Sequence, residues 1–495
     1  MRLLTTEEMK TVENFAMTDR GVPSLLLMEN AAIGATQEVL KLSPKRVVIF
    51  CGKGNNGGDG LAVARKLVTY NVYVKVYFVG ETEKATLDCN TNYGILKSYE
   101  KIVQNLDIEK YEDISKLDIS GFDLLVDALI GTGLKKELTG KYKDIVEYIN
   151  SSNIKVLAID CPTGINADNG HDKGLAVNAD ITVTFHLPKI GLYLYPAYER
   201  CGKIVVKDIG VPYLDEGKNS FLPDKNWARD VLPKRSRNTH KGTYGKSVFI
   251  SGCDTMAGAA VFNCISAYNV GSGLVNACTT EKAIDIIHTL VPEAITTRRE
   301  ELEKLLKDSS SAFAIGSGLG RQTDDIVYQT VKKCTGSLVI DADGINALAE
   351  RPEILKEHIS PCIITPHIKE MARLVNSDTR SVAANMVKVA KEVSLKYNVV
   401  TVLKSANTVI TSPDGRLCIN TTGNSALSKG GSGDCLTGII TGLLAQKVPP
   451  FEAAVLGAYI FGLCGEWVAR EKTEYSVMAQ DSARAIPYVI KDILG

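Results

Sequence analysis

The sequence has no surplus of either charge: 57 Lys and Arg stand against 57 Asp and Glu. Without a basic excess the chain is not a bulk nucleic-acid binder, since phosphate-backbone binding needs a broad positive face. Small anions need only local charge and stay open. Cys-x-x-Cys pairs are absent. The 12 cysteines are scattered, and several, among them Cys51, Cys161, Cys253, Cys278 and Cys435, lie in or beside apolar runs. That usage fits reduced, buried thiols in a cytoplasmic protein rather than a disulfide framework. The six histidines show neither His-Glu-x-x-His nor another paired spacing, which argues against a zinc site. No apolar signal segment is evident at the N-terminus and no 18-residue apolar span is evident elsewhere, so neither export nor membrane insertion is expected. What is present is an ordinary globular composition, 45% hydrophobic and 23% charged, over 495 residues. That length supports roughly two to four domains.

Two alternating series of strands and helices organise the chain. Thr5-Thr6-Glu7-Glu8 reads as a capping box opening a helix to about Ala16, and Ser24–Leu40 as a second helix. Strands are expected at Arg46–Phe50, Val72–Val79, Phe122–Ile130 and Lys155–Asp160. Helices are expected at Leu61–Val68, Thr86–Tyr99 and Lys141–Asn150. Such alternation implies a parallel sheet with helices on both faces and a ligand crevice beyond the strands' carboxyl ends. A polar stretch from Pro212 to Arg237, with Pro223, Pro233 and a basic Lys234-Arg235-Ser236-Arg237, reads as the connection between domains. A second series follows, with strands at Val248–Ser251, Leu274–Ala277, Phe313–Gly316, Leu338–Ile340, Ile363–Thr365 and Val399–Leu403. Helices are expected at Ala257–Val270 and Cys435–Leu444. No short repeat is evident, so the halves read as two different sheets.

The chemistry-bearing residues gather at expected strand ends. Lys429-Gly430-Gly431-Ser432-Gly433-Asp434 opens a helix with unpaired N–H groups and the positive end of its dipole, which suits a phosphate. Asp434 is the best single catalytic candidate, placed to align or deprotonate a hydroxyl toward a phosphoryl group. Lys404 with Asn407 and Thr408 offers a cation and donors for nucleotide phosphates. Gly318, within Gly316–Gly320, permits close ligand approach. His367, beside another strand end, either meets a ligand or caps a helix. In the first series, Asn55–Asp59 lies within a loop from Gly52 to Gly60. It is more polar than a turn requires, and it does not spell the GxGxxG fingerprint. Asp160, before Pro162-Thr163-Gly164, can serve as general acid or base or merely cap a turn. Asn56, Asp127 and Thr163 are hard oxygen donors on converging loops. They could hold a monovalent or hard divalent cation, or simply hydrogen-bond to one another.

Taken in order, GKGNNGGDG, DALIGTGL, DCPTG, GSGLG, DADGINAL, TPH, KSANT and GNSALSKGGSGDCLTG resemble the bifunctional NAD(P)H-hydrate repair enzyme family. The resemblance spans almost the whole chain. It implies an α/β protein of two domains: a Rossmann-like three-layer parallel-sheet NAD(P)H-hydrate epimerase at 1–213, and a ribokinase-like dehydratase at 225–495. It implies epimerisation of the R and S hydrates of NADH and NADPH, and dehydration of the S form at the expense of ADP or ATP with magnesium. Asp160 and Asp434 would be catalytic. Asn55, Asn56, Gly57, Gly58, Asp59, Gly131, Thr132, Gly133, Leu134, Lys135, Lys136 and Glu137 would line the epimerase site, and Gly318 and His367 would face the hydrate in the dehydratase. Lys404, Ser405, Ala406, Asn407, Thr408 and Gly433 would hold the nucleotide. Asn56, Asp127 and Thr163 would bind potassium, which a single carboxylate among neutral oxygens suits better than magnesium. Partners would be these small molecules and further copies of the chain, with no nucleic acid or membrane. The sequence departs from the family pattern at Ser405, where glycine is common, at Ile368-Lys369, where Pro-Gly is common, and at Thr163, where serine is common. The competing reading is a ribokinase-type small-molecule kinase fused to a ligand-binding regulatory domain. In a third, non-enzymatic reading the N-terminal half is a sensing or protein-binding module.

Overall fold

Val47, Val48, Ile49 and Phe50 are β-branched or aromatic, and all four are fully buried, as a strand covered on both faces requires. They belong to β1 (Arg46–Cys51), an interior strand of a seven-stranded, wholly parallel sheet. Its other strands are β2 (Tyr73–Phe78), β3 (Leu106–Lys110), β4 (Leu124–Ala128), β5 (Lys155–Ile159), β6 (Ile181–Phe185) and β7 (Lys203–Lys207). They lie in the order β3-β2-β1-β4-β5-β6-β7. Alternate residues feed separate cores: Val47, Ile49 and Cys51 pack into one, Val48 and Phe50 into the other. Three layers result, with helices on both faces.

The computed structural model describes residues 1–134, 136–212 and 219–495 and divides into two units, Arg2–Lys218 and Asn219–Gly495 with Met1. The second unit holds a ten-stranded sheet. Its strands are β8 (Ser220–Phe221), β9 (Lys246–Ile250), β10 (Leu274–Thr279), β11 (Ile295–Arg298), β12 (Ala312–Ile315), β13 (Ser337–Ile340), β14 (Cys362–Ile364), β15 (Val400–Leu403), β16 (Thr408–Thr411) and β17 (Leu417–Asn420). The order is β11-β10-β9-β12-β13-β14-β15-β16-β17-β8, parallel except where β16 pairs antiparallel with β15 and β17. The two orders differ, so the halves are different sheets, as their sequence patterns imply.

Three features differ from the sequence expectations. The stretch 212–237 is not all connection. Phe221 lies in β8, which pairs with β17, and the helix Lys225–Val231 brings Trp227 against Phe221 at 5.5 Å. Asp224 caps that helix by accepting the Trp227 N–H at 2.9 Å. Second, the helix Pro450–Glu471 is long and apolar enough to cross a membrane by length and composition, contrary to the expectation that no such span exists. It is 78% buried within the fold across that window, and Ala454, Val455, Leu456 and Ile460 join the core of the second unit. A helix apolar on every side is what the centre of a large unit requires. Third, the helix expected from Leu61 starts at Asn55 and runs to Thr69.

Each sheet has a switch point where its strand order reverses, between β1 and β4 in the first unit and between β9 and β12 in the second. Glycine lets the loops at and beside these points touch. A Cβ on Gly52 would lie 2.0 Å from Leu129 O. Gly316 has φ +122°, and a Cβ there would lie 1.9 Å from Asp341 O. Gly316→Ala should therefore destabilise the second unit by about 1–3 kcal/mol through overpacking, before strain is added. Thermal unfolding of the full chain should show one transition lowered and the other unmoved.

Candidate active sites

The first crevice opens where β1 and β4 part. Gly54 is extended and precedes the helix Asn55–Thr69, and Gly58 N–H already reaches Gly54 O at 3.1 Å. Asn55–Asp59 is thus the helix's first turn and not a loop. Its glycines let this turn pack on the end of β1, since a Cβ on Gly57 would fall 1.7 Å from Gly52 O. The leading N–H groups have no intrahelical partner and face an anion-favouring dipole.

Asp160 sits at the end of β5 with φ +64°, a conformation rare for a residue other than glycine. Its Oδ1 receives Lys189 Nζ at 2.8 Å and its Oδ2 receives Thr132 N–H at 3.3 Å. Burial works against the charge on Asp160, but Lys189 outweighs it and holds the carboxyl below its ordinary range. Two further carboxyls behave oppositely. Asp59 is pushed well above the usual range by burial and by Asp160. Glu13 is raised by burial, against the pull of Lys189. Neither the Asp59 nor the Glu13 side chain makes a hydrogen bond or ion pair among the described residues. Lys189 is only 2% exposed and is held in place by the Leu4–Lys189 bridge, with Ile190 N–H donating to Leu4 O at 2.9 Å.

Asp127, at the end of β4, is fully buried. It accepts Thr163 N–H at 2.8 Å, Thr163 Oγ1–H at 2.7 Å and Leu129 N–H at 3.2 Å. Burial still raises it to about 6, and no cationic side chain offsets this. Asn56 lies nearer Asp160. With its amide nitrogen toward Ile159 O (3.0 Å), its oxygen accepts Gly131 N–H at 3.2 Å. Direct bonds thus join Asp127 to Thr163, while Asn56 joins the Gly131–Asp160 group. Gly133, Leu134, Lys136 and Glu137 border a cavity of about 310 Å³ with Ile130 and Tyr142. Lys135 falls outside the described residues.

The second crevice opens where β9 and β12 part. The helix Ser432–Ala445 begins there, with Gly431 before it in the left-handed region at φ +92°. Beneath its first turn lies a buried ion pair: Lys404 Nζ is 2.8 Å from Asp341 Oδ1. Thr365 Oγ1 donates to the same oxygen at 2.7 Å, and Thr437 Oγ1 to Asp341 Oδ2 at 3.0 Å. A Cβ on Gly433 would stand 3.5 Å from Lys404 Nζ and 3.6 Å from Asp341 Oδ2, so the pair reaches the phosphate-favouring turn. Lys404 is therefore not a free cation but one half of a neutralised pair. Burial disfavours its charge and Asp341 more than restores it.

Asp434 is raised to about 6, first by burial and then by the Asp341 charge. A hydrogen bond from Ser317 and the charge of Lys404 pull the other way. Gly318 packs against Ala259 and Met256, where a Cβ would meet Ala259 Cβ at 2.7 Å. His367 caps the helix Ile368–Leu374: its Nδ1 accepts the N–H groups of Lys369 and Glu370, both at 3.1 Å, and Glu370 accepts His367 N–H at 2.8 Å. That box uses Nδ1 and leaves the half-exposed Nε2 edge toward Glu370 Oε1 at 3.3 Å. Ser405, Ala406 and Asn407 form the turn from β15 to β16. Thr408 starts β16 and donates to Ser405 O at 3.4 Å.

Sequence reasoning missed three of these groups. Asp341 ends β13 in the DADG motif, and the strand-end rule that selected Asp160 applies to it equally. Lys189 lies four residues past β6, and Glu13 is one polar position in an amphipathic helix. No local signal marks either one.

Residues 247–488 match the NAD(P)H-hydrate dehydratase family, and residues 24–191 match the YjeF-related protein N-terminus. The bifunctional NAD(P)H-hydrate repair enzyme Nnr of Moorella thermoacetica is 36% identical over 100% of this chain and 97% of its own length. Its namesake from Thermofilum pendens is 34% identical over 99% and 96%. Among solved structures, an ADP/ATP-dependent NAD(P)H-hydrate dehydratase from Bacillus subtilis, co-crystallised with ATP and Mg2+, is 33% identical. It covers 55% of this chain and 98% of its own, with a TM-score of 0.50. A ribokinase-like superfamily protein from Enterococcus faecalis is 27% identical at the same TM-score, covering 57% and 98%. With two sheets, two strand-end crevices and full-length relatives of one kind, the chain belongs to the family of bifunctional NAD(P)H-hydrate repair enzymes.

Proposed function

We propose that the chain repairs hydrated NADH and NADPH, with the unit Arg2–Lys218 interconverting the R and S hydrates and the unit from Asn219 dehydrating the S form with ADP or ATP. The observation that carries the reading is Asp434. It is a carboxyl in the first turn of a glycine-led helix, above the Asp341–Lys404 pair, in a chain related over its full length to repair enzymes. The direct test is to incubate hydrated NADH with the protein and ADP or ATP and follow recovery of absorbance at the reduced-nicotinamide band. A ribokinase-type kinase would instead leave a stable phosphoester.

In the second unit, the glycine turn at Gly433 and the paired Lys404 hold the phosphates, with the hairpin Ser405–Thr408 beside them. Asp434 takes the proton of the C6 hydroxyl as its oxygen attacks the terminal phosphorus and the shortened nucleotide departs. Phosphate then leaves C6 with the bonding pair, C5 loses a proton, and the C5–C6 double bond re-forms. Gly318 and His367 border the ring. Magnesium, when bound with the nucleotide, would offset phosphate charge. In the first unit, the two acid–base roles fall to carboxyls whose surroundings push them apart. A neutral Asp59, with Glu13 behind it, protonates the departing C6 hydroxyl, and ionised Asp160, held by Lys189, deprotonates the water that returns on the other face. Asn55–Gly58 and Gly131–Glu137 enclose the hydrate.

The donor set also fits potassium. Asp127 is a buried carboxylate with no cationic partner among its surroundings, bonded to the Thr163 hydroxyl, and Asn56 meets Gly131 on the loop that follows the same strand. A monovalent cation supplies the missing charge, and one carboxylate is too few for magnesium. Its role would be to organise the loops that carry Thr132 and Asp160.

These assignments can be checked directly. Asp434→Asn should lower dehydration by roughly 100- to 10,000-fold and leave epimerisation intact. Asp160→Asn should stop R/S mixing, followed by chromatographic separation of the epimers, while the S form is still consumed. Asp341→Asn removes the negative charge that raises Asp434, so the acid limb of the dehydration profile, expected near pH 6, should move to lower pH; a limb that stays put or rises would remove Asp341 from this role. Asp127→Ala should abolish anomalous scattering from rubidium or thallium soaked in place of potassium and weaken epimerisation alone. Because Asp127 is raised to about 6, cation affinity should fall as pH drops through that value.

A further inference from the structure

Arg299 stands at the second crevice with much of its hydrogen-bonding capacity unused. It follows β11, the edge strand, and its side chain reaches across β10 to the two loops flanking the switch point. Nη2 donates to Gly252 O, just past β9, at 2.5 Å and to Leu319 O, just past β12, at 2.9 Å. Nε is buried without an acceptor. Nη1 meets none among the described residues, and no carboxylate there stands within ion-pair distance. Its neighbours are treated differently: Arg298 is paired with Glu281 at 2.7 Å, and Lys404 with Asp341 at 2.8 Å. Arg299 alone of these three brings an uncancelled positive charge to the strand ends, beside the loop that carries Gly318.

A guanidinium in this position suits an anionic oxygen through Nη1, whose donors are uncommitted; Nη2, which both forks of the group share, is spent on the two carbonyls, and Nε is buried. In open α/β sheets the ligand lies at the switch point, which is where the two carbonyls hold this guanidinium. We infer that Arg299 binds phosphate oxygens of the hydrated dinucleotide and so helps decide which hydrates are accepted. The inference rests on the dehydratase reading above. Its two possible sources are the diphosphate bridge, common to both hydrates, and the extra ribose phosphate of the NADPH form.

The test uses the full chain with Arg299→Met, which keeps the apolar stem, and Arg299→Lys, which keeps the charge but not the planar group that the two carbonyls orient. Removing a charge-assisted contact should raise KM for the S hydrates by about 10- to 100-fold in Arg299→Met, with kcat and the KM for ATP within about twofold, and Arg299→Lys should recover part of it. A hydrated N-alkyl dihydronicotinamide, which carries no phosphate, should be turned over equally by wild type and variant. Inorganic pyrophosphate should compete with the hydrate in the wild type and lose that competition in Arg299→Met. An equal KM rise for NADH and NADPH hydrates assigns the diphosphate, and a larger rise for the NADPH form assigns the ribose phosphate. An unchanged KM, pyrophosphate inhibition that survives the substitution, or an equal loss on the phosphate-free hydrate would overturn the inference; the last would reduce Arg299 to a staple between loops. Failure of the wild type to dehydrate any hydrate would instead overturn the reading it rests on.

Discussion

In each sheet the strands at the switch point are stitched together just beyond their carboxyl ends by a backbone hydrogen bond at a glycine. Gly52 N–H donates to Ala128 O at 3.0 Å, and Gly252 N–H donates to Ser317 O at 2.8 Å. Any larger residue at Gly52 would collide with Leu129 O, and at Gly252 with Ala260 Cβ, 2.9 Å from the position of a Cβ. These close approaches draw the loops around a common point, and every candidate catalytic group in the chain stands on one of those loops or beside it. A parallel sheet supplies the direction, because all strand ends carrying chemistry emerge on one side. The stitch supplies the proximity.

Proximity in a desolvated crevice has an electrostatic consequence that both sites use. Carboxyls taken from water are driven toward their neutral form unless a cation or donors oppose it. Asp160 and Asp341 are opposed, by Lys189 and Lys404, and remain ionised. For Asp59 and Asp434 the opposition, from Lys189 and from Ser317 with Lys404, does not outweigh burial, and each is raised further by its ionised neighbour. The same device, a lysine-paired aspartate beside an unpaired one, thus recurs on two unrelated sheets. In the first unit it sets a raised carboxyl beside a lowered one. In the second it places a carboxyl raised to about 6 at a phosphate-favouring helix start. Dehydrating a C6 alcohol needs a poor leaving group improved, and phosphorylation does this, so a kinase-like sheet suits a lyase.

Buried lysines also explain why neither site collapses into a cluster of repelling carboxylates. Lys189 and Lys404 are each within 2.8 Å of their partner, and hydroxyls of Thr184, Thr365 and Thr437 occupy remaining lone pairs. Satisfied in this way, a buried pair holds its geometry, and losing either member strands a charge.

The sequence by itself determined the α/β class, the two series, the strand ends that carry chemistry, and Asp160 and Asp434 as the residues to examine. It could do so because strand runs, glycine turns and helix starts are local, and the parallel-sheet rule turns local ends into a shared edge. Where the reading erred, a longer-range effect was at work. Asn55–Asp59 became helix because Gly57 can press on Gly52. Residues 220–231 joined the sheet and core because β17 and Phe221 accepted them. Pro450–Glu471 is a core helix because the second unit is wide enough to surround it. Only the tertiary structure decided that Lys404 is neutralised by Asp341, 63 residues away, that Lys189 completes Asp160, and that His367 spends Nδ1 on a cap. Charge and protonation in a crevice depend on what else is buried there, and partners distant along the chain leave no periodicity or spacing for a sequence to reveal.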